Sequence, residues 1–366
     1  MGCPLRILHV VVNMNRGGAE TLIMNLYRNL DRSKVQFDFL TCKEGVFDEE
    51  IVELGGKVHR IPYITDVGHM GYMKALGTFF ASHQEYKIVH SHMDKMSGFV
   101  LRSARKAGIP IRIAHSHNTS SEGGVAAKMY KWYAGKFISP NATHLLACSE
   151  VAAKWLFGVE TDVAAILKNG IKYEDFSFSP EIREQVRKEL NLAFDTCVVG
   201  HVGRFAHQKN HVFLIEVFAQ LLKLRSDSVL VLVGDGPLRS EVEKKVKDLN
   251  LGENVKFLGI RRDINRLLQA FDLFVFPSIH EGLPVTLIEA QGAGLPCVIS
   301  DVITEEVDMD AGLVSFESIN NPPEIWAKNI LNINKRMQSV EGYIKQKGYD
   351  IRESAAWLEK FYLQTL

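Results

Sequence analysis

Cysteine is scarce in this chain, five residues in 366, and no two of them form a C-x-x-C pair. Cys3, Cys42, Cys148, Cys197 and Cys297 are odd in number and widely spaced, which excludes a disulfide scaffold and predicts free thiols in a reducing compartment. No stretch approaches the ~18–20 apolar residues of a membrane-spanning helix; runs such as 229–234 and 273–276 have the length of strands. Charge of either sign is also not in excess, 43 Lys and Arg against 43 Asp and Glu, so nothing advertises nucleic acid as a partner. The opening residues run almost directly into Leu5-Arg6-Ile7-Leu8-His9-Val10 without the basic segment and small-residue cleavage site of a secretory leader, so the expected location is cytoplasmic. Low-complexity tracts and repeats of solenoid length are missing too.

What is there is the composition of an ordinary globular protein, 46% hydrophobic and 23% charged, at a length that exceeds one core and predicts two domains. Residues 1–170 carry 20 Lys and Arg against 15 Asp and Glu, and the remainder 23 against 28. The basic half suits an anionic acceptor or membrane surface. Short β-branched runs alternate with helical patterns, the signature of βαβ units around parallel sheets. One series reads as strands at 6–12, 37–40, 58–60, 88–90, 111–115 and 144–148, with helices at 18–30, 72–83 and 98–107. A second reads as strands at 197–202, 229–234, 255–258, 273–276 and 296–300, with helices at 211–224, 238–249 and 283–290. The turn-forming stretch 169–180 separates them. The expectation is two doubly wound α/β domains, 1–170 with a terminal helix over 350–366 and 171–349, facing a cleft lined by the carboxyl ends of both sheets.

Several strand ends carry chemistry. Asn13-Met14-Asn15-Arg16-Gly17-Gly18-Ala19-Glu20 opens a helix with adjacent glycines, where backbone amides approach an anion closely. It is not G-x-G-x-x-G, and no acid ends the second strand, which speaks against a dinucleotide oxidoreductase. After the strand at 197–202, Gly203-Arg204 and Lys209 supply two cations suited to a diphosphate. Gly234 in Val233-Gly234-Asp235-Gly236-Pro237 and Gly259 in Phe257-Leu258-Gly259 mark the neighbouring strand ends, and residues from Ile260 offer backbone groups to a nucleobase. In Pro277-Ser278-Ile279-His280-Glu281-Gly282-Leu283-Pro284-Val285 a helix is expected to begin around Pro284, with amides at Gly282, Leu283 and Val285 available to a phosphate. Glu281 and Glu289 bracket it, about 12 Å apart if the intervening residues are helical.

In this order, Gly-Arg, Lys209, Gly-Asp-Gly-Pro, Phe-Leu-Gly and Pro-Ser-x-x-Glu-Gly-x-Pro-x-x-x-x-Glu-Ala resemble the donor domain of glycosyltransferase family 4, which has the GT-B fold. Asn169-Gly170-Ile171 is similar to a motif at that family's domain boundary, with Lys172 in place of an acid. The segment 300–308 lacks the glycines common in the family, so the family's donor-sugar contacts at that place are not carried over to this chain. The resemblance implies retaining transfer of a hexosyl residue from a nucleotide sugar, with UDP the expected base, to a glycan or lipid-linked acceptor in capsule or exopolysaccharide assembly. It implies no cofactor and no metal: Arg204 and Lys209 neutralise the leaving diphosphate, Glu289 binds the ribose and Glu281 sits near the donor sugar. His117, ending the strand at 111–115, corresponds to a family histidine near the transferred sugar. The terminal helix is expected to return to the first domain. Two alternatives remain: a nucleotide-sugar epimerase on the same fold, and a non-catalytic nucleotide- or glycan-binding module.

His90, His92, His115 and His117 form two H-S-H pairs, but no carboxylate or cysteine completes a zinc motif at recognised spacing. Lys128-Met129-Tyr130-Lys131-Trp132-Tyr133-Ala134-Gly135-Lys136-Phe137 interleaves cations and aromatics at helical spacing. It reads either as a half-buried core helix or as an interfacial surface placing the protein at the inner face of an anionic membrane.

Overall fold

The computed structural model describes residues 3–121, 123–333 and 336–366. The chain divides into two compact units, Met1–Gly170 with Ile351–Leu366, and Ile171–Asp350.

The first unit is built on a seven-stranded sheet: β1 (Leu5–Val10), β2 (Val35–Thr41), β3 (Val58–Arg60), β4 (Ile88–Ser91), β5 (Ile111–Ser116), β6 (His144–Ala147) and β7 (Ala165–Ile166). Their spatial order is β3-β2-β1-β4-β5-β6-β7 and every pair is parallel. Parallel pairing needs crossover connections, which is why a helix follows nearly every strand and both sheet faces are covered. Alternation along β1 shows the result: Ile7 joins one apolar cluster, Leu8 and Val10 the other. The first cluster takes in Ile351, Ala355, Leu358 and Tyr362 from the helix Ile351–Gln364. The second takes in Tyr72, Leu76 and Phe80 from the helix Ile64–Ser82. That helix starts before the expected residue 72 and is broken at Gly68, where φ is +67°.

The second unit repeats the plan with six parallel strands: β8 (Cys197–Val202), β9 (Ser228–Val233), β10 (Val255–Phe257), β11 (Leu273–Phe276), β12 (Cys297–Ser300) and β13 (Val314–Glu317). Their order is β10-β9-β8-β11-β12-β13. β7 and β13 have no counterpart in the sequence expectation. Both are short edge strands whose residues are only part-buried, so neither carries an apolar run.

Strand order reverses beside β1 in one sheet and beside β8 in the other. The loops leaving β1 and β4, and those leaving β8 and β11, run to opposite sides, opening a crevice at the carboxyl ends where ligands of such sheets bind.

Candidate functional site

The loop after β8 runs through Gly203 and Arg204 to a single 3-10 turn, His207–Lys209. Asn210, at a left-handed φ of 55°, then starts the helix His211–Leu224. The neighbouring crests interlock. Gly203 donates its amide to Val233 at 2.9 Å, and Gly234 donates to the carbonyl of Gly259 at 2.8 Å. Gly234 has φ of +132°, and a Cβ there would strike the Gly203 carbonyl, so glycine is required on both counts. Gly259 turns at φ +63°, and Ile260 beyond it is 65% exposed. Gly203, Gly234, Gly259 and Ile260 thus share one edge.

Two charges meet beside that edge. Lys209 donates from Nζ to Glu281 Oε1 at 2.6 Å, and its ammonium lies 4.5 Å from the centre of the Phe276 ring. Both partners are largely buried, so the pair is strongly coupled by the poorly screening surroundings. Ile279 donates its amide to the carbonyl of Gln208 at 2.9 Å, and Gln208 donates from its side chain to the carbonyl of His280, binding the loop after β11 to the loop after β8. Arg204 is exposed and has no ion-pair partner among the described residues.

Glu281 and Glu289 are not joined by continuous helix. The helix spans Val285–Gly292, with Pro284 as its N-cap and not within its first turn. Pro284 has a helix-compatible φ of −70° but an extended ψ of 115°, so the helix begins one residue later than expected; 281–284 is non-helical and helical rise does not set the spacing of the two carboxylates. Gly282, Leu283 and Val285 are buried. The amides of Val285 and Thr286 donate to no described residue, as helix geometry leaves first-turn amides unpaired. Glu289 is part-buried among Leu287, Ile288 and Ala290 and has no hydrogen-bond or ion-pair partner among the described residues. Burial pushes its carboxyl up to about 7.

Gly17, Gly18 and His117 lie in the other unit. Gly17 caps the helix Gly18–Asn29, but a Cβ on it would strike the Glu20 carboxylate, which occupies the approach to that helix start. Around Gly18 a Cβ would meet nothing within 4 Å. His117 follows β5, with its amide 3.4 Å from Asp94 Oδ1. Asp94 is held at a left-handed φ of 46° and accepts from Asn118 Nδ2 at 2.7 Å.

His117 belongs to an array of five imidazoles. His9 Nδ1 meets His92 Nε2 at 2.9 Å, and His92 Nδ1 meets His117 Nε2 at 2.8 Å. In a second row, Tyr362 meets His90 Nδ1 at 2.6 Å, and His90 Nε2 meets His115 Nδ1 at 3.1 Å. The rows stack, with ring centroids 4.2 Å apart for His90 and His92 and 4.1 Å for His115 and His117. Burial lowers His9 and His117 to about 3, and burial with neighbouring imidazoles holds His90, His92 and His115 well below the usual histidine range. All five are therefore neutral at physiological pH. His9 and Tyr362 were not singled out from sequence; the only signal for His9 is a polar residue within the apolar run Ile7–Val10.

One side of the basic-aromatic stretch packs on the core of the first unit, where Ala134 is buried and Tyr130 and Phe137 lie against the cluster that holds Phe99; its other side faces outward. Within the helix Val125–Gly135 only Ala134 is buried, and Val125, Met129 and Trp132 are 77%, 66% and 57% exposed. Lys136 lies over the Trp132 ring at 3.7 Å. No helix among the described residues is long and apolar enough to cross a membrane.

Residues 182–308 match the model of the family described as glycosyl transferases group 1, and residues 17–170 match the glycosyl transferase 4-like domain. EpsF of Bacillus subtilis strain 168, to which glycosyltransferase activity is ascribed, is 41% identical over 98% of this chain and 96% of its own. The Escherichia coli UDP-Gal:alpha-D-GlcNAc-diphosphoundecaprenol alpha-1,3-galactosyltransferase is 30% identical over 93% of each chain. Among solved structures, Anabaena Alr3699/HepE in complex with UDP and glucose superposes with a TM-score of 0.75 at 20% identity, over 97% of this chain and 94% of that one.

Proposed function

This chain belongs to the group 1 glycosyltransferase family, with a 4-like domain in its first half, and from that premise we propose a specific transfer: a hexosyl residue moves from a UDP-sugar to a glycan or lipid-linked acceptor, with retention of anomeric configuration and no metal ion in the transfer step. The single observation that carries this reading is the charge arrangement at the β8/β11 crevice. An unpaired Arg204, a Lys209 positioned by Glu281 and the open amides of Val285 and Thr286 are the donors a leaving diphosphate needs. Charge builds on that diphosphate as the glycosidic bond breaks, so cations and oriented amides placed there favour the transition state over the ground state. They take the part a magnesium ion plays elsewhere.

Glu289 is a carboxylate without an internal donor, matched to the vicinal hydroxyls of a ribose. Ile260 and the Gly259 turn offer an apolar step for the base. Glu281 stands beside the sugar and keeps Lys209 in place. His117, neutral at working pH, acts as a hydrogen-bonding group toward the sugar and not as a charged acid. The Escherichia coli relative is named for UDP-Gal as donor, a diphosphoundecaprenol-linked acceptor and an alpha product. UDP-hexoses carry their sugar in α linkage, so an α product is retention. The outward side of the helix Val125–Gly135, with Lys128 and Lys131, no acid, and Lys136 at its C-cap, is the surface proposed to rest on an anionic bilayer where such an acceptor lies. On this reading the protein works at the cytoplasmic face of a membrane and assembles the repeat unit of an extracellular polysaccharide.

Calorimetric titration with UDP, GDP and ADP, each in EDTA and in Mg²⁺, tests the donor site. Selective binding of UDP that persists in EDTA is expected; binding that requires Mg²⁺ would overturn the metal-free clamp. The anomeric coupling of the product by NMR tests retention.

A further inference from the structure

The imidazole array in the first unit does more than satisfy itself. Each neutral imidazole carries one N–H and one lone pair. The row His9–His92–His117 therefore has three protons for two bridges, and its outer atoms, His9 Nε2 and His117 Nδ1, are buried without a hydrogen-bond partner among the described residues. His115 Nε2, on a side chain 1% exposed, is likewise buried and unpartnered. No choice of tautomers removes these orphans, and each is a cost to folding unless something else engages it.

One choice of tautomers has a purpose. Placing the His92 proton on Nε2 satisfies His9 Nδ1, and placing the His115 proton on Nδ1 satisfies His90 Nε2, while His90 in turn donates from Nδ1 to the Tyr362 oxygen. His92 Nδ1, His117 Nε2 and His115 Nε2 are then three bare lone pairs. One ligand atom from each of His92, His115 and His117 lies within 4.8 Å of the others. In this tautomer His92 Nδ1 and His117 Nε2 face each other across 2.8 Å as two lone pairs, a repulsion that a cation between them relieves. The competing trio of His9, His90 and His92 lacks this property, because both nitrogens of His90 are engaged outside it.

We propose that His92, His115 and His117 form a three-histidine site for a divalent transition ion of zinc's class, at the carboxyl ends of β4 and β5. Its outer shell is already built. His9 orients His92, and the Tyr362–His90 pair orients His115, the arrangement by which metal-ligating histidines hold tautomer and direction. Zinc–nitrogen bonds of ~2.0–2.1 Å in tetrahedral geometry need nitrogens about 3.3 Å apart, so the 2.8 Å His92–His117 contact opens by about half an ångström as the ion replaces the bridging proton, which moves to His117 Nδ1. Charge balances without proton loss, since all three ligands stay neutral. His92 and His117 are part-exposed, which gives the ion a way in. Nitrogen-only ligation selects zinc, cobalt or nickel over magnesium, and no residue of the diphosphate clamp takes part; His117, the one residue shared with the transfer reading, would ligate through Nε2 and carry its proton on Nδ1.

The test uses the full-length protein stripped with EDTA and titrated with Co²⁺ and Zn²⁺. One equivalent of Co²⁺ is expected to bind with the visible absorption of a four-coordinate site and no thiolate charge-transfer band, to be displaced by Zn²⁺, and to be unaffected by excess Mg²⁺. His92→Gln and His117→Gln should each abolish the spectrum. His90→Gln should weaken binding about 10- to 100-fold through the outer shell. Exposed His207→Gln should change nothing. Circular dichroism verifies that each variant is folded, and a Zn²⁺-dependent rise in the wild-type melting temperature provides a readout free of variants. A thiolate band, stoichiometric binding that survives both ligand substitutions, or no rise in melting temperature together with no cobalt spectrum would overturn the site.

Discussion

Glu281, on the loop after β11, holds Lys209, on the loop after β8, at 2.6 Å across 72 positions of sequence, and both side chains are largely withdrawn from water. Removing one partner of such a pair takes its close counter-charge from a largely buried group. Lys209→Ala should therefore lose about 3 kcal/mol of stability, in the range for a broken buried pair, and weaken UDP at least tenfold. Lys209→Ala with Glu281→Ala should recover most of the stability and none of the UDP binding. Chemical denaturation and calorimetry on the four proteins close the cycle. Restored binding in the double variant would show that Lys209 does not contact the nucleotide.

Two glycines separate ligand contact from protein packing. Gly18→Ala meets no protein atom within 4 Å, so its melting temperature should match the wild type, and any loss of activity reports a ligand approaching that turn. Gly234→Ala faces the Gly203 carbonyl at a left-handed φ and should lower melting temperature and UDP affinity together. An unaltered Gly234→Ala protein would contradict the tight packing of the β8 and β9 crests.

Glu289 couples stability to pH. Its folded value of about 7 lies above the unfolded value of 4.5, so the folded state holds the extra proton between those limits. The contribution is complete below pH 4.5 and is lost as pH rises through 7. Glu289→Gln should thus stabilise the free protein by about 2 kcal/mol at pH 8 and leave it unchanged at pH 4, at 1.36 kcal/mol per unit with allowance for partial exposure. The same variant should lose about tenfold in UDP affinity, while wild-type affinity rises from pH 6 to pH 8 as the acceptor ionises. A pH-independent difference in melting would mean that the carboxyl is not desolvated.

For the helix Val125–Gly135, cosedimentation with vesicles is the direct measurement. The wild type should pellet with vesicles rich in phosphatidylglycerol and remain in solution with phosphatidylcholine alone. Trp132→Ala and Lys131→Ala should each reduce pelleting severalfold without changing UDP affinity. Equal pelleting with both lipids would remove the electrostatic part of the proposal.

The donor-side crests were legible because each is a local stretch: a strand end, a glycine and a charge within about ten residues, as at Gly203 to Lys209. Glu281 and Glu289 were legible as residues but not as a geometry, because one proline decides where helix begins and sequence fixes that boundary only to within a residue or two. The imidazole array was half visible. His90, His92, His115 and His117 announce themselves in pairs, whereas His9 joins them through strand register, lying opposite His90, and Tyr362 arrives from 272 residues away. Contacts set by register and by distant helices leave no local pattern. The exposure of Trp132 was likewise a matter of tertiary packing, since the same spacing serves a buried stripe equally well.

The helix Ile351–Gln364 closes one face of the first sheet with Ile351, Ala355, Leu358 and Tyr362. On the ribosome these residues are made only after all of Ile171–Asp350, whose apolar cluster draws on residues of that unit alone. The usual vectorial order is thereby inverted. The half of the chain synthesised second can close while the half synthesised first waits with an apolar flank uncovered, a natural target for a holding chaperone until translation has passed residue 362.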